Sequence, residues 1–202
     1  MSVSAADVKA LRERTGAAMM DCKAALSESD GDVDRAIEIL RVKGQASAAK
    51  REGRGTGEGV VASYIHANDK VGAMVEVQCE TDFVARNEDF KAFAYEVALH
   101  VAATAPKYVS ADEIPAEERE AEKRVFEQKA REDGKPDDVV EKIVAGQLAK
   151  WAKEVALLDQ PHVNAEKHDS KSIEELRQEL AAKTGENVRV ARLAYFRVGE
   201  GD

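Results

Sequence analysis

From Val71 to Cys79 apolar residues fall at every second position, and from Phe90 to Val101 they recur at every third or fourth. Val71, Ala73, Val75, Val77 and Cys79 alternate with Gly72, Met74, Glu76 and Gln78, the pattern of a strand with one buried face. Phe90, Phe93, Ala94, Val97 and Val101 form the stripe of a helix. The change of period falls at Glu80, so a strand runs almost directly into a helix. Thr81 or Asp82 is placed to accept from free backbone amides as the N-cap. Phe83 then stands at the mouth of the helix, beside a carboxylate. Two readings follow: a staple that packs Phe83 into the local core, or a projecting aromatic wedge with an acidic neighbour.

The rest of the chain predicts an α+β protein. Residues 4–44 read as three short helices, the first capped by Ser4 and broken at Thr15-Gly16, with Val8 and Leu11 inward. The second carries Met19, Cys22 and Leu26 on one stripe. Met20 lies roughly 100° round the helix from Met19, so both methionines cannot point squarely into one small core. Asp30-Gly31-Asp32 separates this helix from a third, whose Val33, Ala36, Ile37 and Leu40 share a face before Gly44.

Residues 45–59 read as a glycine-rich linker. It follows a helix and precedes a strand, the reverse of a phosphate-binding loop, and no Gly-Lys-Ser/Thr ends it. Residues 60–202 form the core domain. In it, Val60–Ala67 and Lys70–Cys79 pair as a hairpin across Asn68-Asp69. Pro115–Glu132 and Pro136–Leu158 make a helical hairpin at about 115–158, broken at Asp133-Gly134-Lys135, with Val140, Val144, Leu148, Trp151, Val155 and Leu158 as its seam. Ser172–Thr184 is a capped helix, Arg189–Val198 a third strand of an antiparallel sheet, and Gly199–Asp202 a tail.

The net charge of −9 argues against an electrostatic grip on nucleic acid or an anionic membrane. No signal peptide and no bilayer-length apolar run is present, and Cys22 and Cys79 sit in apolar patterns as small hydrophobes. A cytoplasmic protein with reduced thiols is expected. His66, His100, His162 and His168 never fall at zinc-ligand spacing, and the serines show no nucleophile elbow. His100 reads as a structural histidine. No metal, cofactor or catalytic group is expected.

Glu76-Val-Gln-Cys-Glu-Thr-Asp-Phe-Val-Ala-Arg86 resembles the core signature of the elongation factor Ts family, the nucleotide-exchange factors for elongation factor Tu. Leu11-Arg-Glu-Arg-Thr-Gly-Ala-Ala-Met-Met-Asp-Cys-Lys-Ala-Ala-Leu26 is a second match, in the family's order. Gln78 stands where asparagine is usual and Ala18 where glycine is common; both are mild changes. The resemblance implies an N-terminal bundle like a ubiquitin-associated domain, a linker, and a core with a three-stranded sheet and a projecting helical hairpin. It implies a non-catalytic role, with Asp82 and Phe83, framed by Thr81 and Val84, as the wedge. Arg12, Met19 and Met20 would clasp the GTPase, and Val71 and Gly72 would add a contact. Many members have a duplicated core subdomain, so a single set implies a homodimer. Val188, Val190, Phe196 and Val198 against Leu193 and Tyr195 give the third strand apolar residues on both faces, in keeping with such a pair. Two rival readings remain open: an adaptor built on the N-terminal bundle, and a small hydrolase using a carboxylate pair.

Overall fold

The computed structural model describes residues 3–134 and 136–200, with the backbone alone at 137 and 138. Lys135 of the predicted break and Gly201 and Asp202 of the predicted tail lie outside the described residues. The elements, in order, are α1 (Ala5–Thr15), α2 (Met19–Glu28), α3 (Val33–Ala49), β1 (Glu58–Ile65), β2 (Val71–Cys79), α4 (Asp82–Ala85), α5 (Glu88–Thr104), α6 (Ala116–Glu132), α7 (Asp137–Val155), α8 (Ala165–His168), α9 (Ile173–Thr184) and β3 (Arg189–Arg197). The strands form one antiparallel sheet in the order β1-β2-β3, which confirms the α+β class. Two compact units divide the chain: Met1–Val61, Val77–Ala94 and Glu175–Arg189 make one, and Ala62–Glu76, Tyr95–Glu174 and Val190–Asp202 the other.

In the first unit, α1 starts in a capping box. Ser4 Oγ accepts from the Asp7 N–H and the Asp7 carboxylate takes the Ser4 N–H. It stops at Gly16, whose φ of 69° lets its N–H return to the Arg12 carbonyl. Val8, Leu11, Cys22, Ala25, Leu26 and Ala36 make a small core, with Ile37 and Leu40 packed on it. Helix α3 does not end at Gly44 but continues to Ala49, into the predicted linker. Gly44 lies against α9, where an added Cβ would meet the Ala182 methyl at 3.3 Å. This glycine serves a close helix–helix approach and stops nothing. Gly59 serves a closer one: a Cβ there would fall 2.2 Å from the Val77 carbonyl oxygen of the neighbouring strand. Val77, Cys79, Phe90, Phe93 and Ala94 are buried, as the two periods predict.

In the second unit, Ala73, Val75, Val97, Ala98 and Val101 are buried, again on the predicted faces. Helices α6 and α7 pair as the predicted hairpin, with Ala130, Val140 and Val144 buried between Phe126 and Ile143. The seam stops early. Helix α7 ends at Val155, and Ala156 turns extended. Leu157 and Leu158 donate their amides to the carbonyls of Tyr108 and Val109 at 2.9 and 3.0 Å, so this backbone bonds to another segment in place of its own helix. Leu158 is thus no part of the helical seam. The short helix α8, capped by the Asn164 side chain, lies where the sequence suggested none.

Candidate functional site

Helix α4 is a single turn, too short to hold itself in water. Thr81 caps it through a 3.5 Å bond from the Val84 N–H, and Val84 and Ala85 anchor it by burial. Asp82, half-buried, pairs with Arg86 at 3.1 Å across the turn. Phe83 is 82% exposed, so it packs into no core and the staple reading is overturned. A bare phenyl ring held in water is a large unfavourable exposure, about 2 kcal/mol against burial. Such a ring marks a surface that gains by being covered.

What holds the turn in place lies far off in sequence. The Glu186 carboxylate, in the loop after α9, accepts from the Glu80 N–H at 3.0 Å, the Thr81 N–H at 3.1 Å and the Thr81 hydroxyl at 2.6 Å. In return, the Glu80 carboxylate accepts from the Asn187 N–H at 2.6 Å and meets Arg54 at 3.4 Å. Asn187 donates its side-chain amide to the carbonyls of Glu52 and Arg54. Sequence reasoning missed Glu186 because 105 residues separate it from Thr81. Cys79 closes the strand beneath, its thiol donating to the Thr81 carbonyl at 3.2 Å. Burial, with the Glu186 charge beside it, pushes that thiol up to about 11, and both cysteines are free. A thiol so high is a poor nucleophile at neutral pH.

In the N-terminal bundle, Arg12, Met19 and Met20 all reach solvent, Met19 at 43% and Met20 at 72% exposure. Met19 was expected on the core stripe with Cys22 and Leu26, and it is not there. It is the first residue of α2, and helical side chains lean toward the N-terminus. As the first residue it has no preceding turn of its own helix to cover it. Val33, first in α3 and expected on that helix's inner face, is likewise exposed.

On the sheet, within the second unit, Val71 is half-buried and Gly72 buried. The His66 N–H bonds to the Val71 carbonyl and the Val198 N–H to the Lys70 carbonyl, each at 2.9 Å. Counting along antiparallel strands from those pairs puts Ile65, Gly72 and Phe196 in one cross-strand row. The row is real at Gly72, where an added Cβ would sit 2.6 Å from the tip of Ile65. Phe196 is 67% exposed, and Ile65, Met74 and Val198 are exposed with it. Leu193 and Tyr195 are half-buried, while Val188 and Val190 are buried.

The histidines gather as their spacing did not suggest. His100 Nδ1 accepts from the Val163 N–H at 3.2 Å, so its Nε2 carries the proton and donates to Gln160 at 2.8 Å. It is neutral and fully bonded, the structural histidine expected from the sequence. Glu96, His162 and His168 bring ligand-type atoms within 4.8 Å of one another. His162 Nδ1 accepts from the Asn164 N–H at 3.1 Å, so the Nε2 facing Glu96 bears a proton and has no lone pair to offer a metal. Lys167 is bonded to the Glu96 carboxylate as well. Burial pushes that carboxyl up, but Lys167, His168 and His162 together outweigh it and hold the group below its ordinary range. Lys167 and Glu96 form the ion pair of the cluster, with His162 and His168 packed beside it.

The chain is an α+β protein with large apolar side chains offered to solvent in each of its two units. The elongation factor TS profile matches residues 4–169. The chain is 49% identical to elongation factor Ts of Geobacter sulfurreducens over 201 residues, covering all of this chain and 92% of that protein. It is 49% identical to that of Acetivibrio thermocellus over 199 residues and 50% to that of Koribacter versatilis over 200, covering 91% and 90% of them. The chain belongs to the elongation factor Ts family.

Proposed function

We propose that this chain is a translation elongation factor that binds GDP-loaded elongation factor Tu and accelerates GDP release. The carrying observation is Phe83, exposed on a turn whose backbone is fixed from both sides. A factor that prefers the nucleotide-free GTPase lowers, by linkage, the affinity of that GTPase for nucleotide by the same ratio. Magnesium demands near-ideal octahedral geometry, so a wedge of Asp82 and Phe83 beside the partner's Mg²⁺ and phosphates weakens GDP strongly. Thr81 and Val84 shape the turn. Arg12, Met19 and Met20 of a ubiquitin-associated-like bundle clasp the GTPase, and Val71 and Gly72 add a contact on the sheet. The factor makes and breaks no covalent bond and needs no cofactor of its own. It works in the cytoplasm on a protein partner, with no part for nucleic acid or membrane. The test is to accelerate release and then chromatograph the nucleotide: intact GDP is expected, and breakdown to GMP or guanosine would contradict the reading.

Met20→Ala is expected to weaken binding to the GTPase several-fold, by about 1 kcal/mol, for a side chain lost at an interface. The melting temperature should hardly move, because Met20 fills no core. Affinity and thermal unfolding measured on the same variant decide it, and wild-type affinity would remove Met20 from the clasp.

The exposed side chains of Ile65, Met74, Phe196 and Val198 support a homodimer through the sheet face. A flat apolar sheet face is self-complementary about a two-fold axis and gains by pairing with itself. Sedimentation equilibrium is expected to give twice 22.0 kDa, insensitive to salt because the contact is apolar. Phe196→Glu should yield monomers; a wild-type monomer at tens of micromolar would rule the dimer out.

A further inference from the structure

We propose that Glu186 is the positioning residue of the wedge: it pre-organises the turn that presents Phe83. The inference rests on the reading of Phe83 as the wedge and adds the residue that aims it. Three donors converge on one carboxylate, the two amides of Glu80 and Thr81 and the Thr81 hydroxyl. Bonds to a charged acceptor are the strong ones, and a carboxylate is the side chain that accepts from several donors without presenting one of its own. All three donors lie within the three residues before Phe83. The turn itself contributes little order, being four residues long. Phe83 contributes none, since almost all of its ring is in water.

The direction of the turn is therefore set by its two ends. Burial of Val84 and Ala85 fixes the inner side. Glu186 fixes the approach, at the point where β2 stops and the chain must swing into α4. The reciprocal bond from Asn187 N–H to the Glu80 carboxylate pins the same two segments a second time, so residues 80–81 and 186–187 move together. Helix α9 carries this pin: Arg177, buried in it, donates to the Val188 carbonyl at 2.7 Å, just beyond. A ring that must arrive in one orientation loses less freedom on binding when its backbone is already held.

The test is a double-mutant cycle in catalysed GDP release, with release measured against factor concentration. Glu186→Gln removes the charge and one of the two acceptor oxygens, so the bonds that remain to the Glu80 and Thr81 amides become weaker neutral ones. Maximal release is expected to fall about tenfold, with the half-saturating concentration within about twofold of wild type, because the clasp on the bundle is untouched. In a Phe83→Ala background the same change should cost less than about twofold, since a positioner has nothing left to position. Multiplying losses, an unchanged release rate, or a loss confined to half-saturation would each overturn the proposal. If Phe83→Ala alone releases GDP at wild-type speed, the wedge reading falls and takes this one with it, an outcome told apart by the single variants. Should Glu186→Gln fail to fold, Glu186→Asp keeps the charge but draws it back by one methylene from all three donors, leaving the Thr81 cap intact. It is expected to slow maximal release about threefold in the wild-type background and not at all beside Phe83→Ala; full speed or additive loss contradicts the proposal equally.

Discussion

Phe83→Ala is expected to slow catalysed GDP release by about tenfold to a hundredfold, a loss of about 1.4–3 kcal/mol of differential binding. The fold should not notice. A ring that is 82% exposed makes few contacts to lose, and its backbone is held by bonds that alanine keeps. Phe90 is the internal control. It lies seven residues on in the same junction and is fully buried, so Phe90→Ala should cost about 3–5 kcal/mol of stability. Exchange per folded molecule should be little changed in that variant. The two aromatics thus separate function from packing within one short segment. A large fall in melting temperature for Phe83→Ala with normal exchange would reverse their roles.

The second large effect is on acid stability. Burial pushes His100 down to about 4 from an ordinary 6.5, the Gln160 bond opposing and the neighbouring His162 adding to the fall. The unfolded chain takes a proton as pH drops through 6.5, while the folded protein refuses it until near 4. Between those values the unfolded state binds more protons, so stability present above pH 6.5 is lost on the way down. The shift corresponds to at most about 3 kcal/mol. His162, lowered chiefly by its own burial, acts in the same direction. Denaturant unfolding of wild type and His100→Asn at pH 7.5, 5.5 and 4.5 isolates the contribution, because carboxylate effects are common to both. The variant is expected to start less stable, having lost the imidazole's packing, and to fall less steeply over this window. Parallel pH profiles would show that His100 does not carry the acid sensitivity.

Local signals were readable in the sequence wherever a residue's neighbours along the chain decide its fate. The alternation of Val71 to Cys79 and the stripe of Phe90 to Val101 are each enforced by a single buried face, so period and burial agree. The caps at Ser4 and Thr81 are bonds across three residues. Exposure of Phe83 was one of two open readings, since local pattern alone leans toward the inward staple and only the resemblance points outward. Tertiary partners decided what remained hidden. Gly44 looks like a stop until Ala182 is seen against it. Helix α7 ends at Val155 because the Tyr108 and Val109 carbonyls take the next amides. Met19 obeys the helical period but has no preceding turn of its own helix to cover it. Glu186 offers no spacing signal at all, for an acid after a helix-ending glycine is ordinary until its three donors arrive from another part of the chain.

Exchange requires that contact by this chain expel GDP from its partner. Stopped-flow release of a fluorescent GDP from elongation factor Tu, against rising concentrations of the factor and excess unlabelled GDP, tests it most directly. The release rate is expected to climb with factor concentration to a plateau at least about a hundredfold above the spontaneous rate, equivalent to about 2.7 kcal/mol off the barrier to release. A release rate that stays at its spontaneous value while the two proteins demonstrably bind would contradict it.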